Sequence, residues 1–388
     1  VSVFTDYLID ELAIDRTALS LAYLVGTVAS ALLLAQAGRL YDRFGGRLVA
    51  TAAATLLAVV LAGLTFAPQL AREIGGPVAA FAVMAAGFFL LRFSGQGMLT
   101  LASRNMVMEW FDRRRGLANA VMGVSISFGF SYAPRFFDDL IQTGGWRPAW
   151  REIAIAAAVF AVLAFIFYRD TPEAHGLLPD GPLRAKKRKN HAETATGRDF
   201  TLPEARRTYA FWIFAVSLVM AGLVITAYTF HIVSLFDAAG MSRQRAVGVF
   251  LPAAFVAVAV EFSGSWLSDY VRLKYLLMTQ LVGLVILTTS IALLGPGLPV
   301  IGVILGQGLM QGVFGILSNV TWPRFYGRAH LGAISGFVLA LTVFGTAVGP
   351  YVFSLGRDLT GSYAVPALLC AAVALVLFMG ATKANRPV

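Results

Sequence analysis

Gly38-Arg39-Leu40-Tyr41-Asp42-Arg43-Phe44-Gly45-Gly46-Arg47 places four charged side chains and three glycines within ten residues. The runs on either side, 17–38 and 48–67, contain no charge at all. About 20 apolar residues suffice to cross a bilayer as a helix, whereas a decapeptide this charged belongs in water. The stretch therefore reads as a tight polar turn joining two membrane-crossing helices. Gly38 lets helices approach closely, Gly45 and Gly46 permit the turn, and the alternating charges of Asp42, Arg43 and Arg47 form a switchable latch.

The same alternation runs along the whole chain. Apolar residues make up 58% of its 388 residues and charged residues 13%. A soluble domain holds nearer half and a quarter, so lipid is the natural solvent here. Further spans are expected at 77–108, 116–137, 151–168, 209–235, 246–268, 275–294, 299–322, 331–355 and 363–382, eleven in all. The run Val1 to Ile9 is too short to cross by itself and reads as the end of a further helix, which implies a twelve-span parent. Of the 31 Lys and Arg, 22 fall on the side of the termini and 8 on the other, with Arg92 alone inside a span. That bias places both termini in the cytoplasm, in a bacterial inner membrane. The net charge of +10 sits in short clusters between spans, which fits an anionic leaflet and not a nucleic acid. One cysteine, Cys370, and four His with no ligand-like clustering leave no metal or cofactor expected. No phosphate-binding loop, zinc spacing or nucleophile elbow occurs, so neither an enzyme nor an ATP-driven pump is indicated.

Residues 169–207 differ from the other connections. They hold Pro172, Pro179, Pro182 and the basic run Lys186-Lys187-Arg188-Lys189. This polar linker divides an N-terminal bundle, 1–168, from a C-terminal bundle, 208–388. The bundles repeat one another. Gly95-Gln96-Gly97 recurs as Gly306-Gln307-Gly308, Trp110 as Trp322, Ala133-Pro134 as Gly349-Pro350 and Trp146 as Tyr363. Two related six-helix halves with a solute site between them form a transporter architecture.

The opening decapeptide resembles the cytoplasmic signature of the major facilitator superfamily, Gly-x-Leu-x-Asp-Arg-x-Gly-x-Arg. Its counterpart in the second half is reduced to Ser265-Trp266-Leu267-Ser268-Asp269, followed by Arg272 and Lys274. Arg92-Phe93-Ser94-Gly95-Gln96-Gly97 and Trp110-Phe111-Asp112-Arg113-Arg114-Arg115-Gly116 resemble further elements of that family. Gly349-Pro350 through Tyr363, with Val3-Phe4-Thr5 and Ser20-Leu21-Ala22-Tyr23, is most similar to the monocarboxylate transporter and oxalate:formate antiporter branch. The resemblance implies a monomeric, all-α carrier that moves a small, organic anionic solute by alternating access, with Asp42 locking the cytoplasmic side. Two departures stand out. Glu261 occupies the place where that branch carries an Arg, and Ala133-Pro134-Arg135 replaces the glycine-rich pattern of drug:proton antiporters.

A charge at mid-bilayer costs about 2.5–3.5 kcal/mol on the insertion scale, so it faces a cavity or a partner. Arg92 lies in mid-span, and α-helical spacing sets Gln96, Thr100 and Ser103 below it on one face. The repeat offers Gln307 and Gln311 opposite Gln96 and Thr100. Glu261 is the carboxylate deepest in the membrane, eight residues from Asp269, and is placed to bind and release H+ or to pair with Arg92. Tyr23, Thr27 and Ser30 form a polar stripe on the second span. His231 reads as a gate or interfacial residue, Asn319 and Trp322 as lining or packing, and Arg135, Asp138 and Asp139 as a solvated rim. A uniporter or exporter of the same fold remains open, as does a non-transporting sensor, although neither linker nor tail has room for a signalling domain.

Overall fold

A computed structural model of the chain describes residues 4–14, 16–112, 114–180 and 198–387. The described residues form helices and turns, with no strand among them. The basic run at 186–189 and Val3 lie outside them.

The first helix, α1 (Thr5–Leu12), is short. Phe4, Leu8, Leu12 and Ile14 are buried in a cluster with Trp146 and Trp150. Glu11 accepts hydrogen bonds from Trp146 Nε1 at 3.0 Å and Arg147 Nη1 at 2.9 Å, and forms an ion pair with Arg147 Nη2. Next, α2 (Arg16–Leu64) is two helices joined at a break. Gly45 makes the break, at φ 81° and ψ 165°. That left-handed backbone suits glycine, and a Cβ there would collide with the Asp170 carboxylate. Asp170 accepts from the Arg47 amide at 2.7 Å, so it caps the second arm. Arg47 in turn donates from Nε to the Phe165 carbonyl at 2.7 Å. The decapeptide is thereby bound to the end of the expected span 151–168.

The remaining N-terminal elements are α3 (Ala67–Ile74), α4 (Gly76–Leu91), a π-helical segment (Arg92–Leu99) running into α5 (Thr100–Trp110), α6 (Arg115–Gly144) and α7 (Trp146–Phe167). After the linker come α8 (Leu202–Ala205), α9 (Tyr209–Ala238), α10 (Arg243–Gly248), α11 (Phe250–Ser268), α12 (Leu273–Ala292), α13 (Leu298–Tyr326), α14 (Leu331–Thr360) and α15 (Ala364–Ala381). The expected spans fall on these helices, 17–38 and 48–67 on the arms of α2, 77–108 across α4, the π-helical segment and α5, and 246–268 across α10 and α11. Among the described residues nine helices are long and apolar enough to cross a membrane, counting α2 once. Large apolar side chains point outward along them: Phe230 and Phe255 are 73% and 71% exposed. A water-soluble surface would not carry such a belt, and lipid requires it.

Apolar packing largely stays within each half. One core joins the helices from α9 to α15, with Met108 reaching in from α5. Two smaller cores serve the first half, one around Trp150 and one around Tyr41 and Ala50. Across the halves α2 packs on α14, and α6 packs on α11 and α13. These contacts are backbone to backbone. A Cβ on Gly38 would strike the carbonyl of Gly332, and one on Gly116 would strike the carbonyl of Ser265. Small residues here admit close helix approach where lipid offers no hydrophobic driving force.

Gly38→Leu should therefore lower the apparent Tm of the detergent-solubilised protein by several degrees, in line with the roughly 1–3 kcal/mol of overpacking. Gly63→Leu, whose site faces open space, should leave it unchanged. Equal shifts in the two variants would refute the close-contact reading.

Candidate functional site

The contact between the halves is fastened on the face that carries the linker, and the fastening is built twice. On one side the Asp42 carboxylate accepts from the amides of Gly332 at 2.6 Å and Ala333 at 2.8 Å, the second and third residues of α14. On the other, Asp269 accepts from the amide of Gly116, the second residue of α6, at 3.0 Å. The first amides of a helix have no intrahelical acceptor and lie at the positive end of its dipole, so an anion there is favoured. Each carboxylate comes from one half and each helix start from the other. Asp269 also meets Arg324 at 3.3 Å, and Arg324 Nη1 donates to the Ser268 carbonyl at 2.5 Å.

Polar side chains continue inward from both caps. Asn105 and Ser335 exchange hydrogen bonds at 2.9 and 3.1 Å between α5 and α14. Asn119 donates to Ser265 Oγ at 3.0 Å and accepts from Asn319 at 2.7 Å, tying α6 to α11 and α13. Among the described residues, every hydrogen bond between the two halves lies toward this linker face. The linker joins it: Arg328 donates to the Glu109 carbonyl at 2.7 Å and to Glu173 at 2.5 Å, and Asp199 accepts from the Arg328 amide at 2.8 Å. Glu204 starts α8 in a capping box; the amide and hydroxyl of Thr201 hold its carboxyl down at about 2. A cavity of about 390 Å³ on this face is lined by Glu109, Asp112, Arg115, Glu173, Asp199 and Arg328 among others. Its walls include Arg328, Glu173 and Asp199 of the fastening, so it is part of the gate.

Deeper in, the Glu261 side chain leaves α11 and crosses to α6. A Cβ on Gly123 would collide with its carboxylate, and one on Gly315 of α13 would come within 2.9 Å. Two glycines from different halves thus make its notch. The charged group that acts on it is Arg104, and Glu261 is the one that acts on Arg104. Arg104 Nε is sealed from solvent without a hydrogen-bond partner among the described residues.

Two expectations change here. Arg104, counted among the 22 cations on the side of the termini, stands in the middle of α5, so Arg92 is not the only cation inside a span. Arg92 also does not pair with Glu261. Its guanidinium lies over the ring of Tyr23, 5.2 Å from the centroid. Arg92 opens the π-helical segment, whose wider i→i+5 turn breaks the even spacing that would set Gln96, Thr100 and Ser103 beneath it. Gln96 and Gln311 are exposed, while Gln307 is buried with Oε1 lacking a partner among the described residues. The hydroxyls of Thr27 and Ser30 return to carbonyls of their own helix.

His231 Nε2 lies 2.9 Å from the Pro350 carbonyl, which only accepts, so this nitrogen carries the proton. Nδ1 faces the Tyr363 hydroxyl at 3.4 Å, and the residue ties α9 to α14 within one half. Trp322 is buried against Phe211 and Tyr326. Asp139 is exposed, and the side chains of Arg135 and Asp138 lie outside the described residues. Of the decapeptide, Arg43 stays exposed over Phe44. Sequence reading did not single out Arg104, Asn105, Asn119 or Ser335. Asn119 carried a usable signal, being an amide in a largely apolar span, whereas Asn105 was masked by its neighbour Arg104.

The chain matches the family model described as Major Facilitator Superfamily over residues 1–350. It is 26% identical over 370 residues to the "Probable nitrate/nitrite transporter NarK2" of Mycobacterium tuberculosis (strain ATCC 25618 / H37Rv), covering 90% of this chain and 84% of that one. It is 23% identical over 393 residues to the "Nitrite extrusion protein" of Bacillus subtilis (strain 168), covering 98% and 89%. Its fold is like that of the E. coli fucose:proton symporter, with a TM-score of 0.64 at 16% identity, covering 99% of this chain and 96% of that one.

If Asp42 fastens the linker face, Asp42→Ala should loosen it by about 1–2 kcal/mol, or roughly 5- to 30-fold in the open population. The readout is maleimide labelling of a thiol introduced by Ala333→Cys in a Cys370→Ser background. A labelling rate that does not rise would refute the fastening role.

Proposed function

The chain belongs to the major facilitator superfamily, a transporter and not an enzyme, and from that premise we propose that it carries a small anion by alternating access. One observation carries the reading. Among the described side chains, Arg92 and Arg104 stand within the candidate span Val78–Trp110 and Glu261 within Gln244–Ser268, two cations against one carboxylate, while the buried Glu109 of the first of these spans sits next to the helix end on the linker face. A membrane interior with an excess positive charge favours an anionic occupant. Guanidinium is also a planar fork that matches a planar pair of oxygens.

Carboxylates, nitrate and nitrite all present that pair. The family resemblance of the C-terminal region points to a small carboxylate, and the names of the relatives point to nitrate or nitrite. The common chemistry is a compact planar oxyanion. We place the linker face in the cytoplasm of a bacterial inner membrane, with the C-terminal end on that side. The excess of Lys and Arg on that face supports this, and moving Arg104 into the membrane leaves the excess in place. In this orientation the structure corresponds to the conformer closed toward the cytoplasm. Glu261 supplies a group through which H+ could drive the transport.

Full-length protein in proteoliposomes should take up at least one of nitrate, nitrite, formate and oxalate, and neither a sugar nor a cationic dye. Replacing Arg92 or Arg104 by Gln should cut that uptake by about 10- to 100-fold, as expected for losing a charged hydrogen bond of roughly 1.5–3 kcal/mol. Uptake of sugar or dye without any of the four anions would refute the reading.

A further inference from the structure

Tyr23 and Arg92 meet inside the first half. Tyr23 stands on the first arm of α2, and Arg92 opens the π-helical segment at the end of α4, which packs along that arm. Gly26, one turn beyond Tyr23, brings the two backbones together: a Cβ there would strike the Phe89 amide and the Ala85 carbonyl. Phe88 and Arg92 are four residues apart and so share one face of their helix. Tyr23 covers both. Its ring makes a T-shaped pair with the fully buried Phe88, 5.3 Å between centroids, and the Arg92 guanidinium lies over the ring at 5.2 Å.

The side chain of Arg92 is half-buried and makes no hydrogen bond or ion pair with the described residues; Tyr23 is the titratable group that acts on it. Arg147 and Arg357 also lie over aromatic rings, those of Trp146 and Tyr363, but they give donors to Glu11 and Ser234. The choice of partner decides what a guanidinium has left to offer. A carboxylate takes its N–H rim and neutralises it. A ring attracts the cation through the π face, more weakly, and takes none of the five N–H groups. Arg92 is therefore held and partly compensated in a medium that penalises bare charge, with its whole planar fork uncommitted. The π-helical turn that begins at Arg92 is of a kind that recurs at functional sites.

We propose that Tyr23 is a positioning residue of the anion site: its ring fixes the Arg92 guanidinium from one side, so that a planar oxyanion is received on the N–H rim. This rests on the anion reading above and names the group that aims its cation. The contact belongs to the ring, because the Tyr23 hydroxyl makes no hydrogen bond to the described residues. Ring and cation also travel on the same half, so the fork keeps its orientation whichever face of the carrier is closed. Without the ring, Arg92 keeps its charge and loses its aim, spreading over several rotamers.

The test is uptake by full-length protein in proteoliposomes, with nitrate, nitrite, formate and oxalate as probes. Tyr23→Leu should raise KM for the transported anion by about 3- to 30-fold, the weight of a partly desolvated cation–π contact, with the saturated rate within about twofold. Tyr23→Met, which keeps bulk without a ring, should do the same and serves where the Leu variant does not fold. Tyr23→Phe should recover the parent KM. Added to Arg92→Gln, Tyr23→Leu should change the residual uptake by less than about twofold, since a ring that acts through Arg92 has nothing left to aim. An unmoved KM in the Leu and Met variants, a Phe variant that behaves like them, or losses that multiply in the double variant would each overturn the role of Tyr23 and leave the anion reading standing. No uptake of any probe by the parent overturns the anion reading and the role of Tyr23 with it.

Discussion

A carboxylate set on the unpaired amides of a helix in the opposite half is the contact around which this molecule is arranged. Asp42 does this for α14 and Asp269 for α6. The interaction suits a part that must open. Its donors are backbone groups that any helix start leaves unsatisfied, so water can take them over when the halves separate. Its strength is modest, about 0.3–2 kcal/mol depending on exposure. Geometry forces the rest. A carboxylate reaches the amides only if the helices nearly touch, which is why Gly38 meets Gly332 and Gly116 meets Ser265 at backbone distance.

The economy of the interface follows from the same requirement. Large apolar cores remain mainly inside each half, and polar pairs such as Asn105 with Ser335 and Asn119 with Asn319 bridge between them. Buried amides that find partners across a seam specify one docked register without making it irreversible. The linker contributes to the same face through Asp170, Glu173 and Asp199, each of which bonds a gate element. The chain between the halves is thus part of the fastening as well as a tether.

How much of this could be read from residues depends on the range over which each feature acts. The all-helical membrane fold follows from local hydropathy and the turn at Gly45 from local chemistry, so both were legible. Asp42 was marked only by the family signature, and its partner amide lies 290 residues away. Arg104 was not legible. The density of charge from Glu109 to Arg115 blurs where the helix leaves the membrane, and Arg104 was counted with that loop. The face below Arg92 was misdrawn because periodicity assumes α-helical spacing and cannot foresee a π-helical segment. Which cation faces Glu261 depends on how two halves dock, and no single-chain pattern encodes that. Asn119 and Asn319 lie 200 residues apart in sequence and meet only in the folded protein.

The duplicated fastening also shows where the two halves cease to be alike. Eight residues before Asp42 the chain has Leu34, and eight residues before Asp269 it has Glu261. Leu34 is buried, and a Cβ on Gly336 of α14 would run into its carbonyl and the Leu101 side chain, so that depth of the first seam is close backbone and apolar packing. At the equivalent depth of the second seam a carboxylate lies between glycines and faces Arg104. A symmetric pair of apolar seams would open and close without regard to charge. A single charged seam makes the two sides of the interface unequal at that depth. The two fastenings are therefore alike at the linker face, where each is a carboxylate on a helix start, and differ deeper in, where one seam buries a carboxylate and the other a leucine.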